Sequence, residues 1–116
     1  MSTYRLSFNR IALIEKPGAD FPWGEYTSRF EVEEVEPLDM LERIGRGFGF
    51  GPVFGGDGRP TLANFLECPY ICIDMDTEDV RSSNETLRCH PLFQTHGGII
   101  YPTHSHTPPK PRHRVV

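Results

Sequence analysis

The sequence predicts an α+β fold, mainly antiparallel sheet with one or two short helices. Three observations carry this expectation. Several short segments alternate apolar and polar residues and are rich in β-branched and aromatic types, most clearly residues 4–14 and 70–76. Eleven glycines and eleven prolines among 116 residues cut the chain into short pieces and favour turns over long helices. Helical signals are clearest in two places, near residues 37–44 and 83–93. A chain of this length with 37% hydrophobic residues supports one small domain with a modest core.

Residues 4–14 (YRLSFNRIALI) read as the first strand, and residues 17–24 (PGADFPWG) as a loop. Residues 27–35 alternate Phe30, Val32 and Val35 loosely, which suits a strand facing solvent. Pro37 fits the first turn of a helix carrying Leu38, Leu41 and Ile44 at a spacing of three, with Gly45 or Gly47 as its stop. Residues 48–58 (FGFGPVFGGDG) are glycine-rich, and residues 61–66 could form either helix or strand. Residues 70–76 (YICIDMD) form the clearest strand. A helix over 83–93 starts from Ser83 as N-cap and is disrupted near its end by Pro91. Residues 98–103 read as a strand, residues 104–111 (HSHTPPKP) as a rigid loop, and a last strand begins near Arg112. The alternating ending at residues 112–116 reads as a strand under way, so a fragment of a longer domain is expected.

The formal net charge of −4 argues against a basic nucleic-acid coat. The charge is uneven, however. Residues 31–42 hold six acids and no base, whereas residues 104–116 hold Lys110, Arg112, Arg114 and three histidines with no acid. A local basic strip can hold phosphate on a chain that is acidic in total. No run of about 18 apolar residues predicts a membrane span. The N-terminus lacks a secretory pattern, and an odd count of three cysteines fits a reducing cytoplasm.

Strand alternation puts Ile71, Ile73 and Met75 on one face, expected to lie on the core, and Cys72, Asp74 and Asp76 on the other. The two carboxylates would then stand about 7 Å apart along the chain. Such a pair repels itself unless a cation intervenes. Hard cations such as Mg²⁺ and Mn²⁺ take oxygen ligands and complete their shell with substrate phosphates. The plainer alternative is a strand that ends in acids at a turn, with Glu78 and Asp79 in a solvated loop. His106 can donate to a phosphate oxygen. Arg112 and Arg114, two apart on a strand, would share a face, where planar guanidinium groups grip phosphate at two points. Plain basic surface is the competing reading.

Other features carry less. Cys68, Cys72, Cys89 and His90 could be assembled into a zinc site, but their spacing matches no usual finger, and buried thiols are the favoured reading. Phe48, Phe50 and Phe54 could stack on bases, though a place in the core is preferred. The turn at Gly55–Gly58 lacks the Lys-Ser/Thr tail of a phosphate loop. Arg59, next to it, is a candidate for contact with a template or a triphosphate.

In combination, the order of GDGRPTLANFLECPYICIDMD, an apolar strand and THSHTPPKPRHRVV resembles the catalytic core of archaeo-eukaryotic primase superfamily members, of the primase–polymerase type found in phages and mobile elements. The resemblance covers about residues 50–116; residues 1–49 are not placed by motif. It rests on Asp74-Met75-Asp76 as the acidic strand, on Arg59 and Asn64-Phe65 before it, and on Ser105-His106-Thr107-Pro108 followed by the basic strand from Arg112. His104 stands where that family's second motif has a small residue. The resemblance implies an RRM-like core and a metal-dependent nucleotidyltransferase of DNA replication. Asp74 and Asp76 would hold two Mg²⁺ or Mn²⁺ ions. His106 and Ser105, with Arg112, Arg114 and Arg59, would face nucleoside triphosphate and DNA template or primer, and a helicase domain or protein could be a partner. The family's third carboxylate has no match, so weak or no polymerase activity is expected of this piece. Two alternatives stand beside it: a rolling-circle-type nicking nuclease using Tyr101, and a non-catalytic nucleic-acid-binding fragment.

Overall fold

A computed structural model describes residues 2–116 and divides the chain into two units, Met1–Pro69 and Tyr70–Val116. The architecture is α+β, and every strand pairing among the described residues is antiparallel.

In chain order the first unit contains β1 (Tyr4–Ala12), α1 (Trp23–Thr27), β2 (Phe30–Val35), α2 (Pro37–Gly45), β3 (Phe48–Gly51), β4 (Val53–Phe54) and β5 (Phe65–Glu67). Strand β1 is the centre of a β2-β1-β3 sheet, while β4 and β5 form a separate pair. Both faces of β1 are covered between Leu6 and Asn9. Leu6 and Phe8 are buried on one face, and Arg43 of α2 lies 4.9 Å over the Phe8 ring. The other face carries Ser7 and Asn9, and their polar groups find partners. Ser7 Oγ donates to the Pro52 carbonyl at 2.7 Å, and Asn9 Nδ2 donates to the Tyr26 carbonyl at 2.7 Å. Buried polar groups satisfied in this way cost little. Phe50 packs its ring 6.1 Å from Phe8, which favours the core reading of that aromatic.

Helix α2 begins at Pro37 as the sequence predicts, but its buried residues are Met40 and Ile44. Leu38 is 66% exposed and Leu41 47%. A spacing of three drifts about 60° around a helix at each step, so only its last member reaches the buried stripe. Gly47, with φ of +89°, closes the helix end; a Cβ there would run into the Leu13 carbonyl oxygen.

The second unit contains β6 (Ile73–Met75), α3 (Asn84–Cys89), α4 (Pro91–His96), β7 (Ile100–Pro102) and β8 (His113–Val115). The sheet order is β6-β8-β7, with β8 in the middle. Strand β6 is shorter than residues 70–76 suggest, and its apolar face is not a closed core face: Ile71 is 79% exposed and Ile73 37%. The physical reason is its place at the sheet edge, where only three residues pair. Burial centres on Leu87 and Val115, with Ser82 and His113 beside them. Ser83 caps α3, its Oγ accepting from the Thr86 N–H at 3.3 Å. Pro91 does more than disrupt that helix. It occupies the first turn of α4, where a missing N–H costs nothing, and His90 Nδ1 accepts from the Leu92 N–H. The expected burial of the cysteines is also corrected. Cys72 and Cys89 are exposed and Cys68 is half-buried, since Cys72 precedes the paired part of β6 and Cys89 ends α3. No helix among the described residues is long and apolar enough to cross a membrane.

Candidate phosphate and cation site

The register of the second unit's sheet builds the site. Asp74 on β6 lies opposite Arg114 on β8, and Tyr101 on β7 lies opposite the same arginine. Residues directly opposite on adjacent strands share a face, so acid, base and phenol form a row across the sheet. Arg114 Nε donates to Asp74 Oδ1 at 2.5 Å, Nη2 approaches Oδ2 at 3.4 Å, and Nη1 donates to the Tyr101 hydroxyl at 3.2 Å. The guanidinium carbon also sits 5.9 Å from the centre of the Tyr101 ring. The hydrogen bond from Arg114 holds the Asp74 carboxyl below the usual carboxylate range, and the same bond raises Arg114 further above neutrality. Burial pushes the Tyr101 phenol up, against the influence of Arg114. The opposite face of the sheet carries His113 and Val115, both buried.

The segment between β7 and β8 is tied at its base and its tip. The Thr103 N–H donates to the Arg112 carbonyl at 3.1 Å, and the His106 N–H donates to the Thr103 carbonyl at 3.0 Å. Thr107 and Lys110 exchange backbone bonds around Pro108 and Pro109. The Arg112 N–H donates to His106 Nδ1 at 3.1 Å. Because that nitrogen accepts, the neutral His106 ring carries its proton on Nε2. The ring of His113 lies 4.7 Å from that of His106, and its Nδ1 donates to the buried Ser82 carbonyl at 2.7 Å.

The remaining residues expected at the site are placed as follows. Asp76 follows directly after β6 and is exposed. Arg112 is paired with Glu78, and Lys110 Nζ is 3.9 Å from the same carboxylate. The bond from Arg112 lowers the Glu78 carboxyl below its ordinary range. Ser105 is half-buried within the 103–112 segment, and His104 is exposed. Arg59 belongs to the first unit, in a loop clamped by Asn64, whose Nδ2 donates to Asp57 Oδ1 at 2.7 Å and to the Arg59 carbonyl at 3.1 Å.

Glu78 is the residue that sequence reasoning undervalued. It is expected in a solvated loop, yet it holds two bases and adopts φ of +62°, the one non-glycine residue with positive φ among those described. Nothing local announces this, because its partner Arg112 lies 34 positions away.

Carboxylate oxygens are the right donors for Mg²⁺ or Mn²⁺, but both oxygens of Asp74 face the Arg114 guanidinium. Among the described residues no group of three His, Cys, Asp or Glu side chains is arranged to hold a metal ion, so water and phosphate oxygens would have to complete a shell.

Comparison of the chain with protein-family models, curated proteins and solved structures finds no match.

Proposed function

We propose that the second unit is the phosphate- and cation-handling part of a primase–polymerase, a metal-dependent nucleotidyltransferase that joins nucleoside triphosphates on a DNA template. The observation that carries this reading is the β6–β8 register, which sets the acidic strand's Asp74 against the basic strand's Arg114 on one exposed sheet face. Asp74 and Asp76 would hold Mg²⁺ or Mn²⁺. The cation supplies neutralisation of phosphate charge where a hydroxyl displaces pyrophosphate. Arg114 and Arg112 offer planar guanidinium donors to the triphosphate. His106 contributes an Nε2–H donor, with its orientation fixed by the Arg112 backbone. Arg112 gives one guanidinium nitrogen to Glu78, whose charge tempers the basic strip.

The nicking-nuclease reading is weaker. Its nucleophile would be Tyr101, whose phenol is pushed towards the protonated form by burial and already accepts from Arg114. One observation favours the non-catalytic nucleic-acid-binding fragment over an enzyme: Asp74 is engaged by Arg114.

Mn²⁺-dependent binding of a nucleoside triphosphate separates the readings. Binding that disappears in Asp74→Ala, with at least a tenfold rise in Kd, is the expected result. DNA binding without nucleotide, unchanged in Asp74→Ala, would favour the non-catalytic unit. A covalent tyrosyl–DNA adduct would favour the nuclease.

A further inference from the structure

We propose that His106 is a pH-sensitive lock on the β7–β8 hairpin: its neutral ring holds the segment between residues 103 and 112 closed, and protonation of that ring on mild acidification releases it. The inference stands on the geometry of the hairpin and does not depend on the nucleotidyltransferase reading.

The argument starts from one lone pair. The Arg112 N–H donates to His106 Nδ1 at 3.1 Å, across six positions of chain. A neutral imidazole with its proton on Nε2 accepts through Nδ1, and Nδ1 is also where a second proton lands. The imidazolium donates at both nitrogens. The bond to Arg112 therefore exists with the neutral ring and is lost with the charged one. The Thr103 N–H to the Arg112 carbonyl, the His106 N–H to the Thr103 carbonyl and the Thr107–Lys110 exchange join peptide groups, which do not titrate. The histidine is thus the tie that changes between about pH 8 and pH 5.

The surroundings of the ring work in the same direction. His113 of β8 lies against it, with ring centres 4.7 Å apart, and gives its Nδ1–H to the buried Ser82 carbonyl. Lys110 and Arg112 of the hairpin are cations, and His104 stands two positions before His106. Glu78, from the loop after β6, is bonded by Arg112 and approached by Lys110. Asp79 is paired with Arg81 in the turn that leads to Ser82. On β6, Asp74 pairs with Arg114 on the sheet face opposite His113, and Asp76 beyond it is exposed. A proton on His106 is added beside bases whose nearby acids are already engaged. The half-buried ring can carry this charge into water by swinging out, and the hairpin then loses its cross-tie.

The placement of the histidines makes the effect local. All five, at positions 90, 96, 104, 106 and 113, lie in the second unit, and residues 1–69 contain none. Carboxylates, with ordinary values near 4, stay mostly ionised at about pH 5. Mild acidification therefore acts on side chains of the second unit and leaves the first as an internal reference.

The test is amide hydrogen exchange of the whole chain followed by NMR from about pH 7.5 to about pH 5, expressed as protection relative to an unstructured amide. Protection of the Arg112 amide is expected to fall about fivefold over this range, the worth of one hydrogen bond. The Leu6 and Phe8 amides of the first unit should hold theirs. His90 Nδ1 accepts from the Leu92 N–H in the same way, and the Leu92 amide reports that bond separately. His106→Asn supplies an acceptor oxygen that does not titrate, so Arg112 should stay protected throughout. His106→Ala should leave it weakly protected at every pH. Arg112 protection that is the same at both ends of the range in the unaltered chain overturns the lock, and this series decides the matter if neither variant folds. A fall in His106→Asn equal to that in the unaltered chain also overturns it, because another histidine would be responsible. So does an equal fall at the Leu87 and Val115 amides, which would mean that the whole unit loosens rather than the hairpin.

Discussion

Glu78 sits in the left-handed region of backbone space, where an L side chain crowds its own carbonyl. Its pairing with Arg112 and its approach to Lys110 are what the conformation secures. Replacing the side chain separates the two effects. Glu78→Ala and Glu78→Gly both lose the pairings, but only glycine adopts this conformation without crowding. Urea unfolding should therefore find Glu78→Gly the more stable of the two, by roughly fivefold in the unfolding equilibrium constant. Equal midpoints would mean that the backbone at residue 78 is relaxed. At this scale the sequence was legible where chemistry is local. Asp74, His106, Arg112 and Arg114 stand out from their spacing alone, and Arg114 and Asp74 do share a strand pair. What they bond to was not legible. The partners of Asp74 and Glu78 lie 40 and 34 positions away, and only the register of β8 brings them together.

Among the elements, α2 tests the difference between a pattern of apolar residues and a buried stripe. Met40 and Ile44, four apart, line the buried side, while Leu38 faces solvent. Ile44→Ala should cost about 2–5 kcal/mol, and Leu38→Ala should stay within about 0.5 kcal/mol, both read from denaturant midpoints. Comparable losses at the two positions would show that the helix face is assigned wrongly. The start of this helix at Pro37 and the cap at Ser83 were readable, because proline geometry and a serine hydroxyl act over three or four residues. The length of β6 was not. A run such as YICIDMD favours extended backbone throughout, but a ladder exists only where a neighbour is present, and β8 offers three residues. The split of residues 83–93 into α3 and α4 has the same origin. Proline both ends one helix and opens the next, and His90 in extended conformation supplies the joint.

The molecule as a whole carries a net charge of −4, yet several of its acids are bound to bases. Asp57 is lowered by the Arg59 backbone N–H, Asp74 by Arg114, Glu78 by Arg112 and Asp79 by Arg81. A carboxyl with a depressed folded-state pKa stabilises the fold above its unfolded pKa, and this stability is lost as pH falls through the folded value. The urea midpoint should thus be flat with respect to these groups near neutrality and fall steadily below about pH 4, where unfolded carboxylates begin to take up protons. A midpoint that rises on acidification would contradict the pairings. The fold class followed from turn-forming residues and strand alternation, which act everywhere in the chain. The division at Pro69 and Tyr70 followed from neither, since no change of composition marks it. One consequence of the central place of β8 remains. Its three residues alternate between the interior and the exposed face, with His113 and Val115 inward and Arg114 outward. A slip of one position would send the arginine into the apolar side and expel the valine, so misthreaded copies lose burial together with the Asp74–Arg114 pair. The strand thereby acts as its own proofreader: a chain in which Arg114 meets Asp74 is one that has already packed correctly.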